Sequence, residues 1–154
     1  MIDDYYARFY SDLSSRASDI RVNHYHLARD ISRWKKRIAS SWDQIKVVDI
    51  QYSDEVDDAL LIGDIYRVQV KLDIDGLDPD EIGVEFVVVR DSAEGETEFV
   101  FRKEFTQTTR DGDEVTYKLM SVPTEPGVFK IGLRIFPQHP KLPHRQDFGY
   151  LKWI

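Results

Sequence analysis

The 154-residue chain contains no cysteine. Disulfides and thiolate metal sites are thereby excluded, and the composition fits a reducing compartment. No long apolar run exists, so no stretch reads as a membrane-spanning helix. Basic residues are in the minority, with 21 Lys and Arg against 28 Asp and Glu and a formal net charge of -7. That balance argues against general nucleic-acid binding, which depends on neutralising phosphates, and says little about a neutral partner such as a sugar. The opening Met1-Ile2-Asp3-Asp4-Tyr5-Tyr6 is acidic and aromatic, whereas a secretory signal needs a basic start and an apolar stretch. The expected location is the cytoplasm. No Ser-His-Asp or Cys-His arrangement is readable, and no glycine-rich loop could cradle a phosphate. Nothing points to a paired-carboxylate glycosidase either. The expected catalytic set in this chain is therefore empty.

What the chain does have is patterned hydrophobicity, at 42% of residues, enough for one domain with a real core. Ile2, Tyr6, Phe9, Leu13, Ala17 and Ile20 recur at spacings of three and four, the period of one helix face. Arg21-Val22-Asn23 breaks the pattern, and Asn23 is a suitable N-cap. A second helix carries Leu27, Ile31, Trp34, Ile38 and Trp42 on one stripe, with Arg29, Arg33, Lys36 and Arg37 mostly elsewhere. This predicts a helical hairpin, or one bent arm, over residues 1–45.

Beyond Trp42 the period falls to two. Val48, Ile50 and Tyr52 begin it, and Tyr66 to Ile74 alternate most clearly. Ile82 to Arg90 is apolar on both faces, as a central strand would be. Further strands are marked by Phe99, Phe101 and Phe105, by Val115, Tyr117 and Leu119, by Val128 to Phe136, and by Phe148 to Trp153. Turn pairs separate them at Asp75-Gly76, Glu94-Gly95, Asp111-Gly112 and Pro126-Gly127. About seven strands with no intervening helix predict an antiparallel, immunoglobulin-like β-sandwich over residues 46–154. The fold class is thus mainly β with N-terminal helices.

The side chains that could carry chemistry have simpler readings. Asp73, Asp75, Asp78, Asp80 and Glu81 surround Gly76, but a calcium-binding EF-hand needs its glycine sixth and a helix after it. Here glycine comes fourth and a strand follows, so a solvated turn preset by Pro79 is expected. Asp73-Ile74-Asp75 also fits the loose Asp-x-Asp pattern of some glycosyltransferases, on three residues only. His24 and His26 are two apart and diverge on a helix, and His139 and His144 have no evident third ligand, so no metal is expected. The basic run Arg29, Arg33, Lys35, Lys36, Arg37 reads as a solvated helix face, or as a surface for an acidic partner. Trp34 and Trp42 belong to the core stripe. Tyr5, Tyr6 and Tyr10 cannot all face one core. Together with Tyr150 and Trp153 in the closing segment, they are the candidates for docking or for stacking on sugar rings.

Several stretches resemble a known family. Leu27-Ala28-Arg29-Asp30-Ile31-Ser32-Arg33-Trp34-Lys35, followed by Trp42 and Ile45-Lys46-Val47, is similar to the helix-to-strand passage near the C-terminus of bacterial α-glucan phosphorylases. Gly76-Leu77-Asp78-Pro79-Asp80-Glu81-Ile82 resembles the same region. So do Gly132-Leu133-Arg134-Ile135-Phe136-Pro137-Gln138-His139-Pro140-Lys141-Leu142-Pro143 and the ending Phe148-Gly149-Tyr150-Leu151-Lys152-Trp153-Ile154. The resemblance implies a C-terminal accessory domain of a glycogen or maltodextrin phosphorylase, a glycosyltransferase that releases glucose 1-phosphate from α-1,4-glucan. It implies pyridoxal 5'-phosphate as cofactor of the parent enzyme and none in this chain, whose Lys35, Lys36 and Lys46 match no cofactor-lysine motif. The implied partner is the parent's catalytic body, with α-glucan as a further one, and no nucleic acid or membrane. Two rival roles remain open on the residues alone: a glucan-binding module and a free-standing interaction domain.

Overall fold

The computed structural model describes residues 25–53, 63, 65–92, 95–142 and 144–154. The first helical stripe, its break and the Asn23 cap lie outside the described residues. The chain divides into two compact units, Met1–Ser40 and Ser41–Ile154.

In the first unit, helix α1 (His26–Ser41) follows the expected stripe, with Trp34 and Ile38 buried and Leu27 and Ile31 half-buried. Its polar side is stitched by short-range pairs. Asp30 receives the Arg33 guanidinium and, at 2.6 Å, His26 Nδ1. Such exposed helix pairs contribute only tenths of a kcal/mol each.

The second unit opens with a 3-10 turn, Trp42–Gln44, and then forms two four-stranded antiparallel sheets. Sheet A contains β1 (Lys46–Tyr52), β2 (Tyr66–Asp73), β5 (Thr106–Asp111) and β6 (Glu114–Ser121), in the order β1-β2-β6-β5. Sheet B contains β3 (Ile82–Asp91), β4 (Thr97–Glu104), β7 (Lys130–Pro137) and β8 (Lys152–Trp153), in the order β4-β3-β7-β8. This order is consistent with an immunoglobulin-like sandwich carrying one extra edge strand.

Among the described residues eight strands stand where the periodicity predicts about seven, because the segment marked by Phe99, Phe101 and Phe105 is two strands. At Phe105, whose N–H donates to the Val84 carbonyl at 2.8 Å, the chain leaves sheet B for sheet A. The closing strand is shorter than the alternation suggested. Only Lys152 and Trp153 pair with β7, and residues 148–151 run irregularly before them.

The core lies between the sheets. Tyr66, Val68, Val70 and Leu72 of β2 and Val115, Tyr117 and Leu119 of β6 face Ile82, Val84, Phe86 and Val88 of β3 and Leu133 and Ile135 of β7, all buried. Tyr66 and Phe86 meet across the sheets with ring centroids 5.8 Å apart. Burial of each such side chain contributes about 1.5–3 kcal/mol over leaving it exposed. The edge strand β5, Thr-Gln-Thr-Thr-Arg-Asp, is exposed throughout, and its polar residues discourage further strand pairing.

The carboxylates around Gly76 build turns. Asp75 and Gly76 take positive φ (49° and 72°), and the Asp75 N–H donates to Asp73 Oδ1. Asp78 caps the 3-10 turn Pro79–Glu81 in a reciprocal capping box, accepting from the Asp80 N–H while its own N–H donates to Glu81 Oε2. Every one of these contacts is local, as the solvated-turn reading requires.

Candidate functional site

Strand β3 places Ile82, Val84, Phe86 and Val88 toward the core, so strand geometry turns Gly83, Glu85 and Val87 to the opposite face. On an uncovered sheet those positions would be wet. Here all three are buried. The cover is the proline-containing C-terminal segment. The Gln138 N–H donates to the Glu81 carbonyl at 2.8 Å, and the Ile154 N–H donates to the Leu133 carbonyl at 2.9 Å. Between these anchors, Arg145 reaches Glu85 and the Phe136 ring, and residues 148–151 lie beside Arg102 and Arg134 on the outer face of sheet B.

Two glycines admit this cover. A Cβ at Gly83 would stand 2.3 Å from the Phe136 ring, so the ring occupies the space a side chain would need. At Gly132, a Cβ would stand 2.7 Å from the Trp153 indole. Both rings therefore lie close on the backbone of the sheet. Over them stack two guanidinium groups, Arg145 at 4.7 Å from the Phe136 centroid and Arg134 at 5.4 Å from that of Trp153.

At the centre is Glu85, fully buried. Its Oε2 accepts a two-pronged contact from Arg134, with Nε at 2.6 Å and Nη2 also in contact. Its Oε1 accepts from Arg145 Nη1 at 2.9 Å. A third guanidinium, of Arg102 on β4, places its Nε 3.6 Å from Oε1. Arg145 Nη1 also lies 3.8 Å from Glu104 Oε1. A carboxylate removed from water this completely needs such partners, because desolvation of an unpaired charge costs several kcal/mol. Beside it opens a cleft of about 200 Å³, lined by Arg102, Arg134 and Arg145 together with Phe136, His144, Phe148, Gly149, Tyr150 and Leu151.

The sequence carries one signal for this group but does not reveal its partners. Glu85 is the one charged residue within Ile82 to Val89, a stretch apolar on both faces, and such a residue requires partners from elsewhere. Which arginines supply them depends on strand order and on the path of the tail.

Of the residues singled out for docking or sugar contact, Tyr150 and Trp153 are among the described residues. Tyr5, Tyr6 and Tyr10 lie outside the described residues. Tyr150 is held edge-on against Trp42 at 5.7 Å and close to Phe148 at 4.8 Å. Trp153 is 57% exposed on the edge strand β8. Lys152, between them in the chain, ties the tail to the start of the unit by donating to the Ile45 carbonyl at 2.8 Å. Of the histidines, His139 Nδ1 accepts the Lys141 N–H and His144 lines the cleft. Among the described residues no three of His, Cys, Asp or Glu gather as a metal site, and no helix is long and apolar enough to cross a membrane.

A second feature lies where β2, β3, β4 and β7 end. An apolar opening of about 430 Å³ is lined by Tyr66, Phe86, Val88, Phe101, Phe129 and Ile131, among others. Large apolar side chains remain exposed at or near this lining, including Phe101, Val122, Ile131 and Val128, the last 93% exposed.

The chain is 26% identical to the maltodextrin phosphorylase of Thermococcus litoralis over 159 residues, which cover 99% of this chain and 18% of that protein. It thus spans under one fifth of that relative's length. Residues 42–154, from the Trp42 turn to the last residue, match the family model described as the glycogen phosphorylase C-terminal domain. The two sheets and their covering tail therefore belong to the glycogen phosphorylase C-terminal domain family.

Proposed function

We propose that this chain serves as a non-catalytic C-terminal domain of an α-glucan phosphorylase, docking against the catalytic body of that enzyme and stabilising it. The parent reaction would be transfer of a glucosyl unit from α-1,4-glucan to phosphate, giving glucose 1-phosphate, in the cytoplasm. The observation that carries the docking role is the open apolar end of the sandwich. There Val122 and Ile131 are exposed in the lining of a cavity walled by aromatic rings, with the exposed Val128 next in the chain to the lining residue Phe129. Contiguous exposed apolar surface of this kind marks an interface. The available occupant is the remainder of the enzyme, since the matched region is only 18% of the relative's length.

Pyridoxal 5'-phosphate would reside in the catalytic body. The arginine cleft of this chain has no lysine among its lining residues, so it does not fit the lysine linkage that cofactor uses. Phosphorolysis by this chain alone should therefore be undetectable.

An immunoblot of source cells with an antibody against this chain tests the appended-domain role. A band far above the mass of 154 residues is expected, and a band at that mass would sink the proposal. In the full-length enzyme, Val128→Asp with Ile131→Asp should lower the melting temperature clearly more than in the isolated chain. Equal effects in both would remove the docking surface.

Exposure of Trp153 favours a second role, binding of glucan. Its indole lies on Gly132 at the sheet edge, a position from which an aromatic ring can stack on a sugar. Titration with a maltooligosaccharide should then perturb tryptophan fluorescence with an affinity of order millimolar to micromolar. A flat titration would exclude this role.

A further inference from the structure

We propose that the cleft formed by Arg102, Arg134 and Arg145 binds a small tetrahedral oxyanion, either inorganic phosphate or a phosphate monoester. Three guanidinium groups face two carboxylates, Glu85 and Glu104, which leaves a local positive excess in a protein of formal charge -7. Satisfying Glu85 does not require all three. Arg134 occupies one carboxylate oxygen with two nitrogens, and Arg145 occupies the other. Arg102 stands at 3.6 Å, beyond a good hydrogen bond, beside a carboxylate already served twice. Holding a third cation beside two others is unfavourable, and a bound anion relieves that repulsion.

Donor geometry points the same way. Among the described residues, the terminal nitrogens of Arg102, Nη1 of Arg134, and Nε and Nη2 of Arg145 make no hydrogen bond to protein, and all three side chains line the cleft. A single fork suits a planar carboxylate. Forks reaching one cleft from β4, β7 and the tail suit an anion with several acceptor oxygens in different directions. The group is preorganised, because Glu85 and the stacked Phe136 and Trp153 rings already hold two of the guanidiniums. The anion therefore binds without the entropic cost of ordering long side chains.

The test uses the full 154-residue chain and two-dimensional NMR of the arginine Nε–H groups. Sodium phosphate is titrated at pH 7 with sodium chloride adjusted to hold ionic strength constant. Saturable shifts are expected at Arg102, Arg134 and Arg145. Arg102→Ala, at a side chain half exposed on an edge strand, should weaken the apparent Kd by about tenfold. Arg102→Lys, which keeps the charge without the fork, should fall between, and Lys118→Ala on sheet A should change nothing. A parallel titration with glucose 6-phosphate, against glucose as control, separates the two sources. Tighter saturation by the monoester identifies an esterified phosphate, and equal or weaker saturation identifies free phosphate. Shifts that grow linearly, that chloride reproduces, or that survive both Arg102 substitutions unchanged would overturn the proposal.

Discussion

Strands β2 and β3 are both interior strands of four-stranded antiparallel sheets, yet they are buried differently. Along β2, buried Tyr66, Val68, Val70 and Leu72 alternate with wetter Arg67, Gln69, Lys71 and Asp73. Along β3, seven consecutive residues from Ile82 to Val88 are buried. Strand chemistry does not cause the contrast, since both strands are extended and paired on both sides. The cause is the tail. Sheet A faces solvent on its outer side, whereas the C-terminal segment covers the outer side of sheet B around Gly83, Glu85 and Phe136, leaving β4 exposed, and makes there a second, smaller interior. That interior is charged at its centre, so it depends on ion-pair geometry as well as on apolar area.

If the second interior depends on Glu85, the sharpest break comes from removing it. Glu85→Ala should destabilise the chain by about 3 kcal/mol, read from the midpoint of urea unfolding. This is the low end of the range for breaking a buried pair, because the three arginines can partly rehydrate. A loss below about 1 kcal/mol would mean that the tail stays down without its anchor. Gly83→Ala probes the same cover sterically. Its new methyl group meets the buried Phe136 ring, and a cost of about 1–3 kcal/mol is expected from overpacking. At Gly132 the neighbour is the more exposed Trp153, which can swing outward, so Gly132→Ala should cost clearly less.

The core between the sheets yields intermediate effects. Tyr117 donates its hydroxyl to the Pro79 carbonyl at 3.2 Å, joining β6 to the capped turn before β3. Tyr117→Phe should lose about 1 kcal/mol in the same unfolding measurement. Burial, reinforced by nearby Tyr52, pushes the Tyr66 phenol up to about 12. The folded chain therefore keeps a proton that the unfolded chain releases above its ordinary tyrosine pKa of about 10. That contribution is complete below pH 10 and is lost as pH rises toward 12. Melting temperature should accordingly decline across that window, and Tyr66→Phe should make the decline shallower. An unchanged slope would mean that Tyr66 does not drive it.

The smallest effect belongs to the wet face of sheet A. Lys71 on β2 pairs with Glu114 on β6, and this hydrogen bond raises the lysine pKa. The pair is solvent-exposed and screened by salt, so Lys71→Ala should leave the urea midpoint within experimental error. A loss comparable to that of Glu85→Ala would erase the distinction between the two outer faces.

The alternation of β2 and the apolar run of β3 were legible because side-chain period reports how many faces are covered. The turn carboxylates were legible too, since Asp75-Gly76 and Asp78-Pro79 act on their own backbone. The split at Phe105 was not, because one residue carries the chain between sheets without any change in local preference. Nor was the shortness of β8, where Phe148 and Tyr150 are spent on aromatic contacts with each other and with Trp42.

The candidate site divides along the same line. By itself the sequence determined a mainly β chain without cysteine, a helix stripe through Trp34 and Ile38, and one acidic residue stranded in an apolar strand. Those properties depend on composition and on neighbours a few residues apart. Only the tertiary structure decided that Glu85 meets Arg102, Arg134 and Arg145, which lie 17, 49 and 60 positions further along the chain. Electrostatic pairing acts through space and carries no period, so its partners become visible only when the fold has brought β4, β7 and the tail to one face.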